Sequence, residues 1–313
     1  MNILFISPTG FSSPGLFEWM HFEAFGHHVV TDPNHADVVF FDSHSGFAPY
    51  DWNILNVVLT RKIPVVYFDA FDYWGCKDMQ SSWIGFNNWK SLAEKIAQHQ
   101  EWAVFLGRTL NAGTLKLYFM RKMQASQQYP DFVHPLEYCQ FQDHMFQPIT
   151  KEQLFSRSND ICFIGASSPW RANLVCSLLQ DKRLKVDCFW PFVRISHDEW
   201  LNRHRQAKMF IEADGGGFGS ERPYQLITIA PMLRQRNDEK MAYPWTGNVN
   251  CVEVGDVWGE VTTSEIENII SIISDSDRLY EIYMNGIQHM NANYSKTART
   301  TYILNTMKAN TIL

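Results

Sequence analysis

The first half of the chain alternates short unbroken apolar runs with a stretch in which apolar residues recur every three or four positions. NILFIS (2–7), HHVV (27–30), DVVFFD (37–42) and PVVYFDAFD (64–72) are the runs, and LFEWMHFEAFG (16–26) carries the helical period. This grammar of strand, turn and helix predicts a parallel sheet built from βαβ units. VVFF and VVYF show no polar alternation, so both faces of those strands are expected to be covered by helices.

The pattern starts again near residue 159. NDICFIGASSPWRANLVCSLLQ (159–180) is an apolar strand, a Gly/Ser/Pro turn and a helix beginning near Trp170. Further strands are expected at KVDCFW (185–190), KMFIEA (208–213), APMLRQ (230–235) and NCVEV (250–254), with a helix at SEIENIISII (264–273). Between the two starts, HPLEYCQFQDHMFQPITKEQLFSRS (134–158) sustains no period and reads as a connector that still packs on something. The expected fold class is therefore α/β, with one Rossmann-like domain over 1–150 and a second over 151–290. The tail 291–313 is helical in composition.

Composition narrows the function. A chain of 313 residues exceeds one ordinary core and suits two. Hydrophobic residues at 45% and charged residues at 19% exclude a disordered chain. A net charge of −6 gives no overall attraction to nucleic acid or anionic lipid, so either partner would need a local basic patch, and a small ligand is favoured. The opening MNILFISPTG is stopped by Pro8 and Gly10, which fits a first strand rather than a signal peptide. No apolar run approaches the roughly 18–20 residues of a membrane span. Cys76, Cys139, Cys162, Cys176, Cys188 and Cys251 lack CxxC spacing, as expected of reduced thiols in a cytoplasmic protein.

The densest chemistry lies in ADGGGFGSERPYQL (213–226), which follows a strand and precedes an apolar run of helical character. Glycines such as Gly216 and Gly217 let main-chain N–H groups approach a ligand, and Ser220 can cap the helix. A helix start with Arg222 beside it suits a diphosphate, while Asp214 or Glu221 could accept hydrogen bonds from ribose or sugar hydroxyls. The alternative reading of the same residues is a glycine-rich surface loop ahead of a capped helix. The chain has no GxxxxGK[ST], and its glycines do not follow the first strand as GxGxxG, so a P-loop NTPase and an NAD dehydrogenase both lose support. Asp275-Ser276-Asp277 sits between two helices and reads as a cap rather than a metal-binding DxD. Eleven histidines contain no HExxH, and His197 and His204, though they could share a helix face, make no ligand set. Neither a metal nor a tightly bound cofactor is expected.

Three segments carry a resemblance: ICFIGASSPWRANLVCSLL (161–179), GGGFGSERPYQLITIAPML (215–233) and the tail from GDVWGEV to TTYIL (255–304). In this order they resemble glycosyltransferases of the GT-B fold, the group with a CgeB-like or "glycosyl transferase family 1" C-terminal domain. The resemblance covers about half of the chain. It implies two Rossmann-like domains facing across a cleft, with a nucleotide-diphosphate sugar as donor held by the C-terminal domain and a hydroxyl acceptor held mainly by the N-terminal one. It also implies that the tail helix packs back on the N-terminal domain. Many relatives with retaining chemistry carry glutamate where this chain has Gln225, the position expected to face the ribose.

Within that frame Arg222, helped by Arg171 just past GASSPW, would neutralise the departing diphosphate. Ligands of open α/β sheets lie beyond the carboxyl ends of the strands, so SPTGFSSPG with Thr9, Gly10 and Phe11, DSHSG with His44, and DAFDYWG with Asp72 should border the cleft. His44 and Asp72 are the candidates for activating the acceptor hydroxyl, against the plainer reading of residues that satisfy loop N–H groups. Trp74, Trp83 and Trp89 offer flat faces for a sugar or base, although most aromatics are simply core. Two other readings stay open: a non-catalytic nucleotide-sugar-binding module of the same fold, and a transferase acting on a modified DNA base, which the acidic charge disfavours.

Overall fold

The structure is a computed structural model and describes residues 1–6, 20–42, 51–69, 101–120, 123, 125–126, 128–136, 146–165, 168–190, 195–213 and 222–313. The chain divides into two compact units, one formed by 1–143, 240–242 and 296–313, the other by 144–239 and 243–295.

The first unit is built on a six-stranded sheet of β1 (Asn2–Ile6), β2 (His28–Val30), β3 (Val38–Asp42), β4 (Val65–Asp69), β5 (Leu115–Met120) and β6 (Val133–Pro135). The strands are all parallel, in the order β2-β1-β3-β4-β5-β6. Their unbroken apolar runs are buried on both faces, as the sequence pattern requires. One face packs Phe41, Tyr67 and Tyr118 against Phe105, which lies on a helix. The other carries an aromatic file in which Phe5, Phe40, Phe68 and Phe119 meet ring to ring at 5.2–5.6 Å. Helix α1 (Trp52–Arg61) starts where the Asp51 carboxylate accepts from Asn53 N at 2.8 Å and stops where Lys62 turns left-handed at φ 54°. Helix α2 (Glu101–Asn111) supplies Phe105 and Leu106 to the core.

The second unit repeats the topology. Its strands β7 (Asn159–Ile164), β8 (Val186–Phe189), β9 (Ala207–Glu212), β10 (Met232–Gln235) and β11 (Val252–Val254) are parallel and ordered β11-β10-β9-β7-β8. In both sheets the first strand lies between the second and the third, so each sheet has a point where its winding reverses. Helix α3 (Lys151–Phe155) opens with a capping box between Thr150 and Gln153. Helix α4 (Pro169–Gln180) is capped by the Ser168 hydroxyl with proline in its first turn. Helices α5 (His197–His204), α6 (Arg222–Leu226), α7 (Thr263–Ser274) and α8 (Ser276–Asn293) follow. Asp275 closes α7 and caps α8, accepting from the N–H groups of Asp277 and Arg278, which is the role its DxD position suggested.

Helix α9 (Lys296–Ala309) belongs to the first unit. Tyr302 donates its hydroxyl proton to Pro135 O at 3.0 Å and lies 6.0 Å from the Phe119 ring, while Thr300 Oγ1 accepts from His21 N at 2.8 Å. These contacts explain a departure from the sequence reading. The helix expected over 16–26 is, in its described part, a single 3₁₀ turn at Glu23–Phe25. Phe22 is buried in contact with Phe5 and Phe40, and Gly26 in the left-handed conformation returns its N–H to Glu23 O. Tertiary burial of Phe22 and the glycine stop override the apolar period. Among the described residues no helix is long and apolar enough to cross a membrane. Cys162, Cys176, Cys188 and Cys251 are unpaired thiols.

Candidate functional site

Strands β7 and β9 run side by side at the reversal point of the second sheet, and two arginines meet at their carboxyl ends. Arg222, the first residue of α6, directs Nη1 to Ile211 O at 3.0 Å and Nη2 to Ile164 O at 3.4 Å. Arg171, in the first turn of α4, places Nε and Nη2 at 3.2 and 3.1 Å from Ala213 O. Both guanidinium groups lie over the Phe163 ring, at 5.0 Å for Arg222 and 5.9 Å for Arg171.

The arrangement depends on a missing side chain. A Cβ at Gly165 would stand 2.9 Å from Arg222 Nη2 and 3.1 Å from Phe163 Cζ. The glycine that ends the FIG run therefore makes room for the Arg222 guanidinium. It admits a cation over Phe163 rather than supplying a turn conformation.

The same two arginines hold the base of the glycine-rich loop. Ala213 and Ile211 lie just before it and Arg222 just after it, so the Arg222–Ile211 bond joins its entry to its exit and the Arg171–Ala213 bond ties its entry to α4. Glu212 adds a longer ion pair to Arg222 at 4.0 Å, each side chain being 12% exposed. Of the sequence candidates, Asp214, Gly216, Gly217, Ser220 and Glu221 lie outside the described residues. So do Thr9, Gly10, Phe11, His44 and Asp72. Gln225 is exposed on α6. Helix α6 spans only Arg222–Leu226, so the dipole expected of a longer helix is small here and the fixed charge comes from the guanidinium groups.

A row of charge that the sequence reading missed continues across the sheet. Glu212 on β9, Arg234 on β10 and Glu253 on β11 are register partners. Arg234 is 8% exposed and places Nη2 at 3.1 Å from Glu239 and 3.0 Å from Asn237, with Nη1 3.8 Å from Glu253. Arg236 pairs with Glu265 and donates to Gly255 O at 3.1 Å. Alternating charge at the carboxyl ends of three adjacent strands is costly to bury unless paired, and it is paired throughout. The available signal was an arginine inside the short apolar run PMLRQ.

His204 ends α5 at 1% exposure, with Nδ1 2.7 Å from Trp200 O. Its Nε2 has no partner among the described residues, and burial pushes the imidazole down to about 4. His197 stacks on Trp200 at 5.7 Å and His204 meets the same ring at a tilt, 4.5 Å away, so their helix spacing serves that indole. Among the described residues no three His, Cys, Asp or Glu side chains form a metal-binding group.

No family model matches the chain, and no curated protein matches it. Among solved structures it is similar to a glycosyltransferase from Rickettsia africae, at 12% identity over 99% of this chain and 98% of that one, with a TM-score of 0.49. It is similar to Anabaena HepE in complex with UDP, at 14% identity over 99% and 100% of the two chains and a TM-score of 0.46. An α1,3-fucosyltransferase shares 9% identity over 99% and 89%, with a TM-score of 0.45. At these identities and scores the likeness assigns neither a substrate nor a role to any residue.

Proposed function

We propose that the chain is a GT-B glycosyltransferase, moving a sugar from a nucleotide-diphosphate sugar to a hydroxyl acceptor. The observation that carries this reading is the convergence of Arg171 and Arg222 on Phe163 at the carboxyl ends of β7 and β9, where they fasten both ends of a glycine-rich loop. The sequence resemblance of the same segments supports it. A reversal point between parallel strands is where open α/β sheets take nucleotides. Two guanidinium groups at the base of a glycine-rich stretch of sequence suit a diphosphate.

In this reading the loop 214–221 receives the donor, and Asp214, Glu221 or Gln225 accepts or donates hydrogen bonds at ribose or sugar hydroxyls. As the bond from the anomeric carbon to the diphosphate oxygen breaks, negative charge gathers on that oxygen. Arg171, Arg222, Ser220 and the loop N–H groups stabilise it without a divalent cation. The acceptor oxygen bonds to the anomeric carbon, and its proton passes to His44 or Asp72, which follow β3 and β4 in the first unit.

Calorimetric titration with UDP, GDP, ADP, CMP and NAD, beside Arg222→Ala, tests the reading. Micromolar binding of one nucleoside diphosphate that weakens at least tenfold in the variant supports it. Binding of NAD instead, or of none of the five, overturns it. A non-catalytic sensor of the same ligand is the second reading, favoured by Gln225 at the position where glutamate would stand. It predicts nucleotide binding with no hydrolysis or transfer of the bound sugar.

A further inference from the structure

The loop that follows β11 is held more tightly than an exposed turn requires. Asp256 Oδ1 accepts from Trp258 N and Glu260 N, both at 2.9 Å, while Gly259 N donates to Asp256 O and Asp256 N donates to Glu260 O, each at 3.0 Å. From outside, Gln235 Nε2 donates to Asp256 O at 2.9 Å, Glu265 Oε1 accepts from Gly255 N at 3.1 Å, and Asn173 Nδ2 donates to Trp258 O at 3.1 Å. Gly255 and Gly259 take positive φ, at 63° and 78°. Gly259 is pressed so closely on α4 that a Cβ there would stand 2.0 Å from Trp170 O.

This scaffold presents a tryptophan to solvent. Trp258 is 62% exposed, the most exposed large hydrophobic side chain among the described residues, with Val257 beside it at 44%. Its indole makes no ring contact or side-chain hydrogen bond among the described residues, although its main chain is fixed at both N–H and C=O. The loop lies at the carboxyl end of the sheet and against the first turn of α4, one residue from Arg171.

We propose that Trp258 is a stacking platform for the pyranose ring of a carbohydrate substrate. A pyranose offers one face of C–H bonds, which packs on the electron-rich indole, and a rim of hydroxyls. Asp256 and the exposed Glu260 belong to the loop and Asn173 donates to it from α4, so two carboxylates and an amide that suit those hydroxyls accompany the indole. The acidic rim also selects between flat ligands. A phosphate placed beside Asp256 and Glu260 would be repelled, whereas the neutral ring of a sugar can lie there with any phosphate directed away from them. A rigid aromatic loses little conformational freedom on binding, and here the backbone is already ordered.

The inference rests on the transfer reading only in taking the sugar to be the donor's or the acceptor's, and the test separates the two questions. Wild type, Trp258→Ala and Trp258→Phe are each titrated with UDP and UDP-glucose, and with GDP and GDP-mannose. Saturation-transfer NMR then follows methyl glycosides of glucose, galactose, mannose and N-acetylglucosamine. The expected result is a pyranose contact in wild type and Trp258→Phe that falls at least tenfold in Trp258→Ala, with UDP or GDP affinity changed by less than twofold. A loss confined to the sugar nucleotides assigns the platform to the donor sugar, and a loss confined to the methyl glycosides assigns it to the acceptor. Equal sugar binding in Trp258→Ala, or no contact with any sugar tested, overturns the proposal. A Trp258-dependent sugar contact in a protein that binds none of UDP, GDP, ADP and CMP leaves the platform standing and removes the transfer reading instead.

Discussion

Gly165 and Arg222 are shaped to each other: the Nη2 of Arg222 stands where it would meet a Cβ at position 165 at 2.9 Å. Replacing the glycine by alanine must move either the guanidinium or the strand end. Gly165→Ala is expected to weaken binding of the cognate nucleoside diphosphate about tenfold, an effect of about 1.4 kcal/mol. In an Arg222→Ala background the same change should cost less, because the contact with the guanidinium is gone and only the Phe163 ring still crowds the new methyl group. Calorimetry on the four proteins of this cycle measures the coupling directly. Additive losses would mean that Gly165 acts on binding independently of Arg222.

The Arg234–Glu239 pair predicts a cost of stability rather than of binding. The Glu239 side chain is 2% exposed and that of Arg234 is 10%, so removing the base leaves a carboxylate inside the protein with little water. Arg234→Ala is expected to lower the unfolding free energy by about 3–5 kcal/mol, the usual consequence of stranding one partner of a buried pair. Glu239→Gln keeps hydrogen-bonding capacity toward Arg234 and should cost less. Urea denaturation at pH 7.5 compares the two.

These residues show what the sequence could and could not reveal. Unbroken runs such as VVFF and VVYF identified their strands because continuous apolar character reflects burial on both faces. Helix α7 and the Asp275 cap were legible because apolar period and capping chemistry are local. The charged row of Glu212, Arg234 and Glu253 was not, since it exists only through the lateral register of three strands far apart in the chain. Arg171 and Arg222 were singled out as charges, but their shared seat on Phe163 and the room made by Gly165 come from strand ends brought together by the fold.

Gly259 offers a test of the loop that carries Trp258. Its φ of 78° already disfavours a side chain, and a Cβ would meet the Trp170 carbonyl at 2.0 Å, which is backbone and cannot swing aside. Gly259→Ala should therefore cost at least about 2 kcal/mol of stability. It should also lower any sugar contact that depends on Trp258, even though the indole is intact. Thermal unfolding together with the saturation-transfer measurement checks both consequences.

The buried imidazole of His204 makes stability depend on pH in a window where carboxylates contribute little. Its folded pKa is lowered to about 4 from 6.5, with burial as the main cause, the nearby Arg222 and Arg203 adding to it, and the Trp200 carbonyl and Asp187 opposing it. Burial also lowers His134 and His289. In the unfolded chain these imidazoles take up protons near pH 6.5, whereas the folded protein resists, so acid favours unfolding. The stabilisation is fully present above pH 6.5 and is lost as pH falls toward 4, amounting for His204 to on the order of 3 kcal/mol once both states are protonated. The unfolding free energy measured in urea should fall steadily between pH 7 and 4.5. His204→Gln should flatten that slope while lowering stability at pH 7, because the glutamine cannot fill the ring's place against Trp200. An unchanged slope in the variant would show that His204 is accessible to protons in the folded protein.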